Sequence, residues 1–193
     1  MTQHSGSTSD ELPAGGERSG VRIRRGSERD AEAVLALIDS AIAWFVSIGN
    51  VRQWGTEPWS AHPERRARIT AMCAEPGSWV AEDEDGQVLG SLVVGDAHDY
   101  VPPMDDELYV RLLVADRSPR ARGVGRRLLA FADEQARGLG RARLRVDCYG
   151  GGSGKLVKFY ESCGYRRTET FSVGEWPGQL LVRELTEGPA SSA

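Results

Sequence analysis

Residues 112–129 read LLVADRSPRARGVGRRLL. An apolar strand ends at Val114, five arginines follow (Arg117, Arg120, Arg122, Arg126 and Arg127), and Gly123 and Gly125 stand where the loop becomes a helix. The first N–H groups of a helix have no partner within it, and the helix dipole is positive there. Glycines remove side chains that would block close approach, so backbone N–H groups can cradle anionic oxygens, and arginines add forked cationic donors. The stretch is therefore a strand, an anion-binding loop and a helix. Two better-known phosphate loops are excluded on spacing. At Gly154-Lys155 a G-x-x-x-x-G-K-[ST] pattern fails, because Tyr149 replaces its first glycine and Leu156 its Ser/Thr. A G-x-G-x-x-G pattern fails because Leu128 occupies the third glycine position.

Working outward, residues 107–115 (ELYVRLLVA) predict a strong strand, and residues 123–137 a helix with Val124, Leu128, Ala132 and Ala136 near one face and Gly138 as its stop. Residues 141–148 alternate as a strand, which makes 107–148 a parallel, right-handed β-α-β crossover. A glycine run, GGGSG at 150–154, precedes a short helix over 155–163 stopped by Gly164. Two last strands, 165–171 and 179–185, are joined by a turn containing Trp176-Pro177-Gly178. Upstream, strands at 78–83 and 87–94 flank an Asp85-Gly86 hairpin turn. A first strand at 21–25 leads through a capping-box-like S-x-x-D at Ser27 into a helix with Val34, Ile38, Ile42 and Phe45 in a stripe. Residues 63–74 predict a second helix. The order β-α-α-β-β-β-α-β-α-β-β gives an α/β (α+β) protein: a mixed sheet with helices on its faces.

The chain has 193 residues and a formal charge of -4. One domain is expected over residues 21–186. Polar, Gly/Ser-rich ends at 1–20 and 187–193 are expected as disordered tails. No stretch approaches the ~18 apolar residues of a membrane span, and the N-terminus lacks the apolar core of a secretory signal. The negative charge argues against a dedicated nucleic-acid binder. Cys73, Cys148 and Cys163 are too scattered for a disulfide framework or a zinc site, no metal-ligand spacing occurs, and a reducing cytoplasm is the simplest compartment. Cys148 and Cys163 read as small apolar filler.

The pattern R-x-x-G-x-G at Arg120, Gly123 and Gly125 follows the strand LYVRLLV and opens a helix with Leu128-Leu129, and FYESCGY follows at 159–165. Together these features resemble the GCN5-related N-acetyltransferase (GNAT) superfamily over roughly residues 21–186. The resemblance implies a mostly antiparallel central sheet of about seven strands flanked by about four helices. It implies acetyl-CoA as the acyl donor, with no metal. Its pyrophosphate would lie on Arg120, Arg122, Gly123, Val124, Gly125 and Arg126, and its pantetheine arm would pair with the strand backbone at Leu113 and Val114. Where the family usually carries an Asn before the last helix, this chain has Ser153, and Lys155 is placed to meet the adenosine phosphate.

Acyl transfer from a thioester needs a neutral amine, a stabilised oxyanion and a proton for the departing thiolate. The resemblance maps the proton donor onto Tyr160 and the oxyanion donor onto a backbone N–H near Val114. It offers Glu107 as a base acting through water, with Asp105 and Asp106 beside it as an acidic acceptor mouth. His98 is a further candidate, because its ordinary pKa suits the task. Trp54 and Trp59 are candidates for the acceptor region, and Trp44 and Phe45 for the core. The expectation is an N-acetyltransferase acting on a primary amine of a small molecule by direct attack. The alternative is a catalytically silent acyl-CoA-binding regulatory module, which would need neither Tyr160 nor an acidic mouth. A homodimer is left open, and neither a nucleic acid nor a membrane is expected as a partner.

Overall fold

In a computed structural model, residues 20–185 are described, and strand β4 (Glu107–Ala115) is the middle strand of a seven-stranded sheet. The expected tails lie outside the described residues, save for Gly20. On one side of β4 lie β3 (Val88–Gly95), β2 (Ser78–Glu82) and β1 (Arg22–Arg25); on the other lie β5 (Arg143–Tyr149), β7 (Trp176–Glu184) and β6 (Arg166–Val173). Every neighbouring pair is antiparallel except β4 and β5, as the crossover between them requires.

Helices α1 (Ala31–Ser47) and α2 (Pro63–Ala74) cover one face, burying Val34, Ile38, Ile42 and Ile69 against Val80, Val93, Leu112 and Val114. Helices α3 (Val124–Gly138) and α4 (Lys155–Ser162) cover the other, where Leu128, Leu129 and Ala132 pack on Leu92, Val110 and Leu144. Both stripes follow from apolar residues recurring at helical spacing. A single 3-10 turn, Glu28–Asp30, leads into α1 and is capped by Ser27, whose N–H and hydroxyl both donate to Asp30 Oδ2, at 2.9 and 3.0 Å.

Two local expectations are corrected. Helix α3 runs through Gly138, and the left-handed stop is Gly140 at φ +68. Trp176, Pro177 and Gly178 lie in β7, and the turn before it falls at Gly174 and Glu175.

One irregularity in β4 shapes the rest. Along β3, Val93 is opposite Leu112 and the next residue, Val94, is opposite Val110, so Arg111 is an extra residue in β4. Such a bulge bends its strand and moves every following side chain to the other face. Accordingly Leu108 and Val110 belong to the α3/α4 core, and Leu112 and Val114 to the α1/α2 core. The parallel ladder to β5 ends at the same level, with Val110 opposite Val146 as its last pair.

Candidate functional site

Beyond Val110 and Val146 the two central strands part, and the gap opens into a cleft of about 1180 Å³. The β4 residues Leu112 to Ala115 form one wall and the β5 residues Asp147 to Tyr149 the other, with α4 contributing Leu156, Phe159 and Tyr160. The bulge is the physical cause, because a strand bent at Arg111 cannot stay in register with β5.

At one end of the cleft lies the start of α3. Gly123 is its N-cap at φ +84, a left-handed conformation that side chains disfavour, and a Cβ there would meet nothing within 4 Å. The first helical bond runs from the Arg127 N–H to the Gly123 carbonyl at 3.0 Å. The N–H groups of Gly123, Val124, Gly125 and Arg126 therefore have no acceptor among the described residues. Val124 is 2% exposed and anchors the turn in the core. Gly125 permits close approach of α4, since a Cβ there would lie 3.4 Å from Phe159 Cζ.

The arginines of the loop divide among different tasks. Arg122 is exposed and lines the cleft. Arg117 also lines it, stacked 3.4 Å above the Trp44 ring, and burial without an acidic partner lowers its pKa. Arg126 lines it while donating to the Ser162 carbonyl at 2.7 Å, which ties the two helices together. Arg120 turns away from the cleft, 3.6 Å from Asp83 and 3.7 Å from Asp116. The structure thus brings Leu113, Val114, Arg122, Gly123, Gly125 and Arg126 onto one cleft. It does not bring Ser153 or Lys155 there: both are exposed, Lys155 in the first turn of α4 and Ser153 two residues before it.

Tyr160 reaches the cleft from α4 at only 5% exposure. Burial, with Cys148 and Tyr165 nearby, pushes its phenol well above the ordinary value, so it keeps its proton at neutral pH. Its hydroxyl makes no hydrogen bond to another described residue. Glu107 departs from its expected place. It stands at the far end of β4 in a buried ion pair with Arg145, Nε to Oε2 at 2.7 Å, and it accepts the Met104 N–H at 3.2 Å. Burial outweighs those partners and raises its pKa, but the carboxylate does not face the cleft. Asp105 and Asp106 flank it there, so the acidic mouth expected beside the strand start is not on the cleft.

What faces the cleft instead is Asp147, on β5 just past the last β4–β5 pair. Its Oδ1 accepts the Tyr109 hydroxyl at 2.5 Å and its Oδ2 the Tyr100 hydroxyl at 3.4 Å. His98 lies on the same wall, stacked on Tyr100 at 5.1 Å and edge-on to Tyr109 at 5.8 Å. Burial lowers the His98 pKa; the Asp147 charge opposes that shift, and Arg111 and Arg68 add to it. The loop before α2 closes the roof. Asp39 accepts the Trp59 N–H at 2.7 Å, and the Trp176 indole donates to the Gln53 carbonyl at 3.0 Å. Phe45, Trp54 and Trp59 all line the cleft, whereas Trp44 supports Arg117.

All three cysteines are free and buried, and burial raises the thiol of Cys73 to about 11 and that of Cys148 to about 12, which leaves both protonated. Among the described residues no group of three or more His, Cys, Asp or Glu could hold a metal ion, and no helix is long and apolar enough to cross a membrane.

The profile of the Acetyltransferase (GNAT) family matches residues 38–165. Among curated proteins, the mouse "Probable N-acetyltransferase 14" is 37% identical over 119 residues, covering 58% of this chain and 53% of the relative. Its human counterpart is 36% identical over 121 residues, with the same shares. The chain spans about half the length of the curated relatives it matches. A GCN5-related N-acetyltransferase from Kribbella flavida superimposes with a TM-score of 0.64 at 19% identity, covering 86% of this chain and 98% of that one. A phosphinothricin acetyltransferase from Sinorhizobium meliloti, solved in complex with AcCoA, superimposes with a TM-score of 0.62 at 17% identity, covering 90% and 92%. At these identities the two structures establish the shared fold.

Proposed function

The chain belongs to the acetyltransferase (GNAT) family, and from this premise we propose that it transfers the acetyl group of acetyl-CoA to a primary amine of a small molecule by direct attack. The observation that carries the reading is the start of α3. Four N–H groups without an acceptor among the described residues start α3 beside a left-handed glycine, and Gly123, Gly125 and Arg126 of that turn line a cleft that continues along β4. That arrangement fits a pyrophosphate joined to an extended, amide-bearing arm. Bound there, acetyl-CoA supplies an activated thioester.

The protein's own groups supply the rest. Gly123, Val124 and Gly125 would hold the pyrophosphate through backbone donors, with Arg122 and Arg126 adding charge. Leu113 and Val114 present backbone to the arm and donors to negative charge developing on the carbonyl oxygen. Tyr160, protonated at neutral pH, is the group to give a proton to the departing sulfur. We assign the proton acceptor for the amine to His98, because it faces the cleft with an imidazole that burial keeps neutral near pH 7. Glu107 is engaged elsewhere by Arg145. The cytoplasm is the compartment this reading implies, and free cysteines are compatible with it.

Calorimetric titration with acetyl-CoA, CoA and ATP tests the reading, on the wild type and on Gly125→Glu. Acetyl-CoA should bind more tightly than ATP, and Gly125→Glu, which fills the space before Phe159, should abolish binding. Equal binding of ATP and acetyl-CoA would reduce the loop to a general anion site and overturn the proposal.

A further inference from the structure

The acceptor half of the cleft has a charge layout of its own. Asp147 is held by two tyrosine hydroxyls, and no ion pair among the described residues includes it. On α2, Arg68 lines the same cleft and likewise enters no ion pair among those residues. Its neighbour on that side, Arg111 of the bulge, is already matched by Glu75. Both unmatched charges act on the same two rings: the Asp147 carboxylate raises the pKa of His98 and Tyr100, and the Arg68 guanidinium lowers it. From Tyr100, which donates to Asp147, a line of rings runs on, with centroids 5.8 Å apart from Tyr100 to Phe171, 6.0 Å from Phe171 to Trp176 and 6.0 Å from Trp176 to Tyr149; Tyr100, Trp176 and Tyr149 line the cleft, and Phe171 backs them.

Of the other guanidinium groups on the cleft, Arg117 is stacked on Trp44 and Arg122 and Arg126 stand at the start of α3, so Asp147, Arg68 and the aromatic wall describe a ligand with one cation, one anion and an apolar body. We propose that the acceptor is a zwitterionic monoamine, an α-amino acid or close analogue, whose ammonium group docks on Asp147 and whose acidic group docks on Arg68. The inference rests on the acetyl-transfer reading for the fate of that amine, but the docking geometry stands on the cleft itself. Polyamines and aminoglycosides fit poorly. Their several positive charges would share a single carboxylate and face Arg68, Arg111 and Arg117 on other parts of the cleft. A simple arylalkylamine would satisfy Asp147 and the rings but leave Arg68 unmatched.

Once docked, the ammonium group loses one proton to His98 Nε2 or Nδ1. Its lone pair then forms the N–C bond to the acetyl carbon as the C–S bond breaks and the sulfur takes a proton from Tyr160; the second N–H proton, shed by the amide nitrogen, restores the Tyr160 phenol, the first leaves His98 for solvent, and the amide product retains its acidic group.

The test uses the full chain with a panel of L-amino acids, their decarboxylated amines and spermidine. Binding is read by calorimetry on the protein saturated with CoA, and turnover by CoA release from acetyl-CoA. At least one amino acid should bind tenfold or more tightly than its decarboxylated partner. Arg68→Ala should erase that difference while leaving the KM of the decarboxylated amine within twofold. Asp147→Asn, which keeps an oxygen to accept the Tyr109 hydroxyl and turns an amide donor toward the Tyr100 oxygen, should raise KM at least tenfold for both. Preferred binding of spermidine or of the decarboxylated amines, or an equal effect of Arg68→Ala on both classes, overturns the inference. So does an absence of amino-acid binding by calorimetry, whatever the turnover. Failure of acetyl-CoA to bind would instead strike the acetyl-transfer reading, and amino-acid binding to the protein alone would still decide this one.

Discussion

Arg145 on β5 reaches Glu107 at the first residue of β4, Nε to Oε2 at 2.7 Å, and the two side chains are only 4% and 8% exposed. The guanidinium also donates to the Pro102 carbonyl at 2.5 Å, so the pair locks the closed end of the β4–β5 ladder while the other end stands open. A charge left unpaired in such a place is costly, and breaking a buried pair from one side typically removes about 3–5 kcal/mol. Arg145→Ala should therefore destabilise the fold by about 3 kcal/mol in urea unfolding. Glu107→Gln should lower the melting temperature yet leave kcat/KM within threefold below it. A hundredfold loss of activity in Glu107→Gln would return the role of base to Glu107.

Tyr160→Phe separates chemistry from packing. The hydroxyl has no hydrogen-bonding partner among the described residues, so its removal should leave the melting temperature within about 2 °C. If it protonates the departing sulfur, kcat should fall by about a hundredfold with the acetyl-CoA KM little changed. An unchanged kcat would assign Tyr160 to packing alone.

The pH profile reports on His98. Burial lowers its pKa, with Arg111 and Arg68 adding to that shift and Asp147 opposing it. If His98 takes the proton of the amine, the neutral imidazole is the active form, and kcat/KM should fall as pH drops through a midpoint below 6.5, the ordinary histidine value. Asp147→Asn removes the opposing charge and should move that acid limb to still lower pH. A limb that stays put in Asp147→Asn, or that survives in His98→Gln, would clear His98 of the role.

Gly123→Ala tests the left-handed turn. A side chain at φ +84 should cost about 1–2 kcal/mol of stability. Its Cβ also projects into the open space before the helix, so acetyl-CoA affinity should drop at least tenfold. Retained affinity would place the anion site elsewhere in the loop.

A further stability prediction concerns the sheet edge. Arg24 bridges Asp30 at 2.8 Å and Glu82 at 2.6 Å, and its pull holds the Asp30 carboxyl below the usual range; Arg22 and Arg24 do the same for Glu82. Carboxylates with lowered pKa stabilise the fold above their unfolded values and lose that contribution as pH falls through the folded ones. Arg24→Ala should cost about 2 kcal/mol at pH 7. The difference from wild type should shrink as the pH is taken below about 4.

Much of this architecture was legible from local pattern. The strand–loop–helix at residues 112–129, the hairpin at Asp85-Gly86 and the helix beginning at Pro63 each carry their own turn or capping chemistry. The bulge at Arg111 was not legible, because LYVRLLV is apolar on both faces and a one-residue slip leaves no gap in such a run. Asp147 was hidden for a related reason. Within RVDCY it reads as the outward residue of an alternating strand, and only the parting of β4 from β5 gives that side a cleft. Glu107 misled in the opposite sense: its partner Arg145 lies 38 residues away and is brought to it by the parallel register. Trp176, next to a proline and a glycine, carries a turn signal that the long-range bond to Gln53 and pairing with Val173 of β6 override.

The parted strands also bear on how long the protein survives. Past Val110 and Val146, main-chain groups that would close a ladder face each other across an open wedge. An extended donor laid there would act as a removable strand, and by mass action its binding would add to folding stability, about 2.7 kcal/mol at a hundredfold excess over Kd. Starved of acetyl-CoA, the molecule would open locally along β4 more often, exchange its amide protons faster and meet proteases sooner. Its abundance would then follow the metabolic state of its surroundings without any separate sensor.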